Sequence, residues 1–269
     1  MNEISEIILF IISALPVFLI GLYIYKKDRD KEPGRLLTKL FLGGILSCFL
    51  TMFISFFLDS MAPFFSIDPA ILDPISLFIS IFIGVALIEE SCKWIILYRF
   101  SYNNKAFDEL YDMIVYAVFV SLGFAFFENM IYIYHAQQLV GQGLIVGIIR
   151  AILSVPGHAC FGVFMGYYLG LSKIAERNND LKLKKYYITL SIIIPVILHG
   201  IYDYCILSNY LIFLYAFFAF IGILFVKALK KVKQIAAIGE KRVYKDNYCP
   251  YCGHVVESDY CPMCGRKNF

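Results

Sequence analysis

Residues 86–97 read ALIEESCKWIIL and place three charged side chains inside an apolar helical stretch. An ionised Glu or Lys at the centre of a membrane helix costs about 2.5 to 3.5 kcal/mol on insertion scales, whereas each large apolar residue returns about 0.3 to 0.6 kcal/mol. Glu89, Glu90 and Lys93 therefore nearly cancel the apolar gain of the helix that contains them. Either carboxylate can pair with the ammonium, which lies three or four positions later, but the helix also needs partners on its neighbours.

The composition around this stretch is that of a membrane protein. Of the 269 residues, 60% are hydrophobic and 17% are charged, against roughly 45 to 50% and 25% in soluble domains. A helix needs roughly 20 apolar residues to cross about 30 Å of hydrocarbon, and the chain contains about seven such stretches. We predict an all-α, polytopic membrane helical bundle with spans near 5–25, 36–58, 74–98, 111–134, 144–172, 188–207 and 210–229.

The basic residues of the short connections indicate the orientation of this bundle, because Lys and Arg are retained on the cytoplasmic side. The connections after the first, third and fifth predicted spans contain Lys or Arg, and those after the second, fourth and sixth contain neither. This alternation predicts a multi-pass protein of the cell membrane, with the N-terminus outside and the C-terminus in the cytoplasm. The net charge of +3 follows mostly from this topology, and no nucleic-acid partner is expected.

Four of the eight cysteines lie in the C-terminal tail, in the motifs CPYCG and CPMCG. Two such C-x-x-C pairs supply the four thiolates of a tetrahedral zinc site. A tail of about 20 residues cannot bury a core, so a metal would have to provide its folding energy. Paired disulfides are the alternative, but a cytoplasmic location disfavours them. We predict a bundle over 1–229, a charged linker over 230–247 and a zinc ribbon over 248–269, with structural zinc on Cys249, Cys252, Cys261 and Cys264.

Three further predicted spans carry ionisable side chains. Glu128 lies in the fourth span, His158 in the fifth, and His199 with Asp203 in the sixth. Because His199 and Asp203 are four residues apart, they share one face of a helix, an arrangement that lets a carboxylate orient an imidazole. So many ionisable groups in hydrocarbon are typical of a functional site.

Depth along the helices is consistent with one site. Counting 1.5 Å per residue from the predicted cytoplasmic ends places both histidines and the two glutamates of residues 86–97 roughly 12 to 21 Å into the bilayer, near its midplane. The same count places Glu128 and Asp203 nearer the outside, at roughly 23 to 25 Å. Since side chains add several ångströms of reach, four helices can converge on one layer.

Other polar or small residues of the spans have simpler interpretations. Asn129 is expected to hydrogen-bond between helices, and Arg150 to extend its side chain towards the membrane interface. Gly162, Gly166 and Gly170, spaced by four residues, are typical of close helix packing.

The combination of carboxylates and histidines indicates hydrolytic chemistry. A glutamate near two histidines in a water-accessible cavity can take a proton from water, while histidine stabilises the oxyanion or protonates the leaving amine. Amide hydrolysis is the natural reaction of such a set. The same side chains could bind a divalent metal, but the usual H-E-x-x-H helical zinc motif is absent. We favour a metal-free reaction and expect no catalytic cofactor.

Five segments in order resemble the PrsW family of intramembrane proteases, within the type II CAAX prenyl protease superfamily. They are EESCK (89–93), FDELYDMIVYA (107–117), GFAFFEN (123–129), HACFG (158–162) and HGIYD (199–203). The resemblance implies a multi-helical bundle and glutamate-dependent proteolysis without a required metal. It further implies cleavage of a membrane-anchored protein in the bilayer, such as an anti-sigma factor in bacteria. The zinc ribbon is a module added to the shared core.

The resemblance also implies roles for individual residues. Glu89 and Glu90 would hold the water-activating carboxylate, one as the base and the other positioning it, and the sequence leaves open which is which. Lys93 would compensate their charge.

The remaining roles fall on the other helices. His158 and His199 would line the scissile amide, while Glu128 and Asp203 would orient the histidines or the substrate. Two other functions stay open: a proton-coupled transporter, since such relays also mark pumps, and a membrane scaffold that recruits a cytoplasmic partner through its zinc ribbon.

Overall fold

The structure, a computed structural model that describes residues 3–61, 72–208, 210–238, 260–264 and 266, contains the predicted helical bundle. Within these residues, seven helical segments are long and apolar enough to cross a bilayer, which agrees with the number of spans predicted. The elements are α1 (Glu3–Lys27), α2 (Gly34–Met61), α3 (Pro74–Ile79), a π-helical segment (Ser80–Ala86), α4 (Leu87–Ser101), α5 (Leu110–Val140), α6 (Gly143–Ile152), α7 (Ser154–Arg177), α8 (Leu181–Leu207) and α9 (Leu211–Ile238).

The predicted fifth span, 144–172, consists of two helices rather than one. α6 ends at Ile152 and α7 begins at Ser154, with Leu153 between them at φ −111° and ψ −55°. Pro156 has no N–H group to donate to the carbonyl of Ile152, so the regular helical hydrogen bonding is interrupted here. The break lies beside the candidate site, whose cavity is lined by Leu153.

Two helices continue beyond their predicted ends. α5 reaches Val140, where Gly141 ends the helix in the left-handed conformation with φ +70°. α9 reaches Ile238, so residues 230–238 of the predicted linker are helical. Both extensions contain polar or charged residues, which is why hydropathy alone does not include them in the spans.

The predicted zinc ribbon is described only in part. Cys249 and Cys252 lie outside the described residues. Of the other two predicted ligands, Cys261 is buried and Cys264 is exposed, and the N–H of Cys261 donates to the carbonyl of Arg266 at 2.8 Å. The zinc site therefore stays a prediction.

α5 lies at the centre of the bundle, and glycines bring its neighbours close to it. A Cβ atom added to Gly123 of α5 would lie 2.0 Å from the carbonyl oxygen of Phe41 on α2, and one added to Gly166 of α7 would lie 2.3 Å from that of Met113 on α5. Any residue other than glycine would force these helices apart. The other two glycines of the predicted stripe on α7 also face α5 at short range, which confirms its role in close packing.

Buried acidic groups lie where the connection between α1 and α2 meets the start of α5. Asp112 accepts a hydrogen bond from the N–H of Glu109 at 2.6 Å, which caps the beginning of α5. Glu32 accepts one from the hydroxyl of Tyr116 and so joins the connection to α5. Burial raises the pKa of Asp28 to about 6 and that of Glu32 to about 7.

Candidate active site

Glu89 and Glu90 of α4, His158 of α7 and His199 of α8 meet inside the bundle. One oxygen or nitrogen atom from each of the four lies within 4.8 Å of the others, and all four residues are buried. Because the residues come from helices far apart in sequence, the site exists only in the folded bundle. The predicted convergence of the ionisable groups is therefore present in the structure.

Local features of the helices allow α4 and α8 to come together here. The N–H of Leu87 bonds to the carbonyl of Phe82, five residues earlier, in the wider turn of the π-helical segment. Phe82 packs against Gly200, where an added Cβ would lie 2.6 Å from the ring. Two turns further along α4, the indole N–H of Trp94 donates to the hydroxyl of Ser191 on α8 at 2.8 Å.

Lys93 lies fully buried among the acidic and imidazole groups. Its Nζ donates to Glu90 Oε1 at 2.7 Å and to His158 Nδ1 at 3.1 Å, and it lies 3.5 Å from Glu89 Oε2. The ammonium also lies 3.8 Å from the centre of the Phe124 ring. Both carboxylates thus pair with Lys93, where the sequence allowed either one.

His199 lies between two carboxylates. Its Nδ1 donates to Glu90 Oε1 at 2.9 Å, and its Nε2 lies 3.2 Å from Asp203 Oδ2. The predicted pairing of His199 with Asp203 on one helix face is confirmed. The ring of Phe161 stacks on the imidazole with 5.0 Å between ring centres, so the orientation of His199 is fixed on several sides.

Glu128 joins His158 to a half-buried arginine, Arg150. His158 Nε2 donates to Glu128 Oε2 at 3.0 Å, and Arg150 donates to the same oxygen at 2.5 Å and to Asn129 Oδ1 at 2.7 Å. The expectation that Arg150 extends to the membrane interface is therefore wrong, because the guanidinium finds a carboxylate within the bundle and stacks 4.1 Å above the ring of Tyr132. The expected interhelical hydrogen bonding of Asn129 is confirmed.

A cavity of about 400 Å³ opens onto this cluster, which we call the polar cavity. Glu89, both histidines and Asp203 line it, whereas Glu90 and Lys93 do not. The Glu89 side chain keeps 10% of its exposure, and that of Glu90 keeps none. The rest of the wall is largely apolar and comes from the π-helical segment, α5, α6, α7 and α8.

All the residues predicted for the catalytic site thus belong to one connected network, in which each contacts at least one other. Arg150 and Tyr132 also line the polar cavity but were not predicted as site residues. A signal for Arg150 is present in the sequence: a cation in an apolar helix needs a counter-charge, and Glu128 is the carboxylate whose partner the sequence leaves unspecified.

Glutamates and histidines gathered around a cavity among membrane-spanning helices define a membrane-embedded hydrolase. The chain belongs to the PrsW family: a protein-family model described as "PrsW family intramembrane metalloprotease" matches residues 32–229. It is an intramembrane protease, and the transporter and scaffold alternatives are not favoured.

Bacterial proteins named Protease PrsW are similar to this chain over most of their length. The protein of Geobacillus kaustophilus is 37% identical over 79% of this chain and 85% of its own, and that of Oceanobacillus iheyensis is 37% identical over 79% and 88%. The protein of Bacillus subtilis is 35% identical over 79% and 90%. No solved structure matches the chain. The relatives and the apolar helices together make the chain a bacterial multi-pass membrane protein.

The family description includes a metal, in contrast to the metal-free reaction expected from the sequence. Two carboxylates and two imidazoles are suitable ligand types for a divalent ion, and Glu89, Glu90, His158 and His199 lie close enough to form such a group. In the observed arrangement, however, the ammonium of Lys93 contacts three of these four residues. A divalent ion held by these four residues would lie beside the ammonium and be repelled by its charge, so the arrangement disfavours a metal while Lys93 is in place.

Proposed function

We propose that this protease hydrolyses a peptide bond of a membrane-anchored protein with water activated by Glu89. One observation carries the assignment: Glu89 lines the polar cavity, while the neighbouring Glu90 is fully buried behind it. The side chain of Glu89 keeps 10% of its exposure and that of Glu90 keeps none, so Glu89 is the carboxylate that can accept a proton from water in the cavity.

Glu90 is a positioning residue in this proposal. Its Oε1 accepts hydrogen bonds from Lys93 and from His199. These bonds hold the ammonium beside Glu89 and fix the imidazole of His199 at the cavity wall. Glu90 therefore acts through its neighbours and has no direct contact with the substrate.

The two histidines complete the reaction. The water oxygen adds to the scissile carbonyl as its proton passes to Glu89, and the oxyanion is stabilised by an imidazole N–H. The C–N bond then breaks as the proton taken up by Glu89 is passed to the leaving amine, which yields one carboxyl and one amino terminus. Glu128 and Asp203 hold His158 and His199 in the orientations that these transfers need.

The apolar wall of the polar cavity indicates the kind of substrate. Val85, Ile149, Leu153 and Leu207 offer an unwound membrane segment apolar contacts beside the cluster. We propose a single-pass membrane protein as the substrate, with an anti-sigma factor as the first candidate. The basic connections support an N-terminus outside and a C-terminus in the cytoplasm.

The tail is proposed to form a zinc ribbon that regulates the protease or recruits a cytoplasmic partner. Its support is the spacing of Cys249, Cys252, Cys261 and Cys264. Removal of 248–269 should spare peptide hydrolysis if the ribbon only recruits or regulates.

The test is co-expression of the protease with single-pass membrane proteins in bacterial membranes. Wild type should produce a cleaved fragment, and Glu89→Ala, Glu90→Ala and His199→Ala should not, at equal protein levels. Unchanged cleavage by all three variants would exclude the proposed site. Cleavage by the purified wild type in the presence of a chelator would show that the reaction itself needs no metal.

A further inference from the structure

The position of Lys93 is the unusual feature of this site. The cluster of Glu89, Glu90, His158 and His199 is the kind of ligand group that holds a divalent ion, and the tip of a lysine side chain lies in it. Lys93 is 0% exposed, and its ammonium lies 2.7 to 3.5 Å from atoms of three of the four residues.

The spacing of the cluster suits an ammonium better than a metal. Hydrogen bonds of N–H donors are about 2.7 to 3.2 Å long, whereas zinc bonds to nitrogen and oxygen are about 2.0 to 2.2 Å long. Two of the Lys93 contacts, to Glu90 and His158, fall within the hydrogen-bond range. Glu90 and His158 thus each already use one atom of the cluster to bind the ammonium.

The contacts of Lys93 also leave Glu89 without a short hydrogen bond to the ammonium, so its carboxylate can act as a base. Lys93 is bonded to Glu90 and His158 at short range but lies 3.5 Å from Glu89 Oε2. A divalent ion in the same group would bind Glu89 directly and occupy the lone pairs that must accept a proton from water. The ammonium pairs with Glu89 through its charge but, at 3.5 Å, makes no short hydrogen bond to this carboxylate.

We infer that Lys93 is a covalently attached cation that occupies the metal position of a two-glutamate, two-histidine site, so that removing its ammonium creates a divalent-metal site. The inference rests on the proposed role of Glu89 for its mechanistic meaning, but its content is a statement about metal binding. The inference also differs from the family description, which names a metalloprotease, because it places a lysine where the metal would bind.

The experiment counts bound Co²⁺ on the purified full-length protein in detergent. Wild type, His158→Ala, Lys93→Ala and the double variant Lys93→Ala/His158→Ala are dialysed against Co²⁺ and their absorption spectra recorded. Wild type and His158→Ala should bind equal amounts. Lys93→Ala should bind one additional equivalent, without the intense thiolate charge-transfer bands of the cysteine tail, and the double variant should lose it.

Each outcome decides the inference. It is overturned if wild type binds one more ion than His158→Ala, or if folded Lys93→Ala gains none. If Lys93→Ala does not accumulate in the membrane, Lys93→Met, which keeps most of the side-chain volume without the charge, takes its place in the same comparison. The proposed function is tested separately. If no substrate is cleaved, the proposed function is rejected, but the number of bound Co²⁺ ions still tests the inference about Lys93.

Discussion

The Nδ1 atom of His199 lies 2.9 Å from Oε1 of Glu90, a residue 109 positions earlier in the chain. Both side chains are buried, so this bond fixes α8 against α4 at the depth of the active site. It also directs Nε2 of His199 towards Asp203, at the wall of the polar cavity. The two adjacent glutamates therefore have different tasks, which leads to the first prediction.

Glu89→Gln is expected to lower kcat by about 10²- to 10⁴-fold, the usual contribution of a general base, with little change in the melting temperature. Glu90→Gln should lower both, because Glu90 accepts from Lys93 and His199 and its loss leaves a buried ammonium short of a counter-charge. Cleavage kinetics and thermal unfolding in detergent check this. Equal melting temperatures for the two variants would contradict it.

Arg150→Ala is expected to destabilise the protein by about 3 to 5 kcal/mol, because it leaves the Glu128 carboxylate without its cation inside the bundle. Addition of Glu128→Ala should recover most of the stability but not the activity, since Glu128 also orients His158. A double-mutant cycle on the free energy of unfolding measures the coupling. Arg99→Ala, at an exposed arginine of α4, is the control and should be near wild type.

Gly166→Ala is expected to lower the melting temperature, because its Cβ would lie 2.3 Å from the Met113 carbonyl and force α7 away from α5. Gly222→Ala on α9 is the matched control: an added Cβ meets nothing within 4 Å there. Alanine favours a helix over glycine by about 1 kcal/mol, so the control should be neutral or slightly stabilised. A similar loss in both variants would contradict the packing argument.

The stability of the protein is expected to fall as pH rises through about 6 to 7. The pKa of Asp28 is raised from 3.8 to about 6 and that of Glu32 from 4.5 to about 7. The folded state therefore binds more protons than the unfolded state between these values. The resulting stability is present in full below the unfolded pKa values and is lost as pH rises through the folded ones.

Melting temperatures at pH 5, 6, 7 and 8 test this pH dependence. Glu32→Gln should flatten the profile and raise the melting temperature at pH 8, because it removes a carboxylate whose ionised form is disfavoured by burial. Glu6→Gln, at an exposed acid near the start of α1, should leave the profile unchanged. A profile that rises between pH 6 and 8 would refute the expectation.

The spans and most of the site could be predicted because their signals are local. Hydropathy marks each span, and an ionisable residue such as His158 in an apolar helix is visible without knowledge of its partner. The spacing of four between His199 and Asp203 was enough to place both on one helix face.

The remaining features depend on packing. Neighbouring residues on a helix point about 100° apart, so the choice between Glu89 and Glu90 as the cavity-facing residue is made by the helices around α4. The pairing of Arg150 with Glu128, 22 residues away, is likewise set by how α6 and α7 meet α5. The break in the helix at Leu153 could not be predicted from hydropathy, because apolar residues continue on both sides of it.

A change of one residue in the length of the π-helical segment Ser80–Ala86 is expected to disrupt the site. Loss of a single codon would restore regular α-helical bonding and turn one side of the span by about 100° against the other. Either Phe78 would leave its contact with Tyr204 on α8, or Glu89 would leave the polar cavity. The extra residue of the π-helical segment thus keeps two contacts in phase that a regular helix could not satisfy together: Phe78 against α8 and Glu89 in the polar cavity.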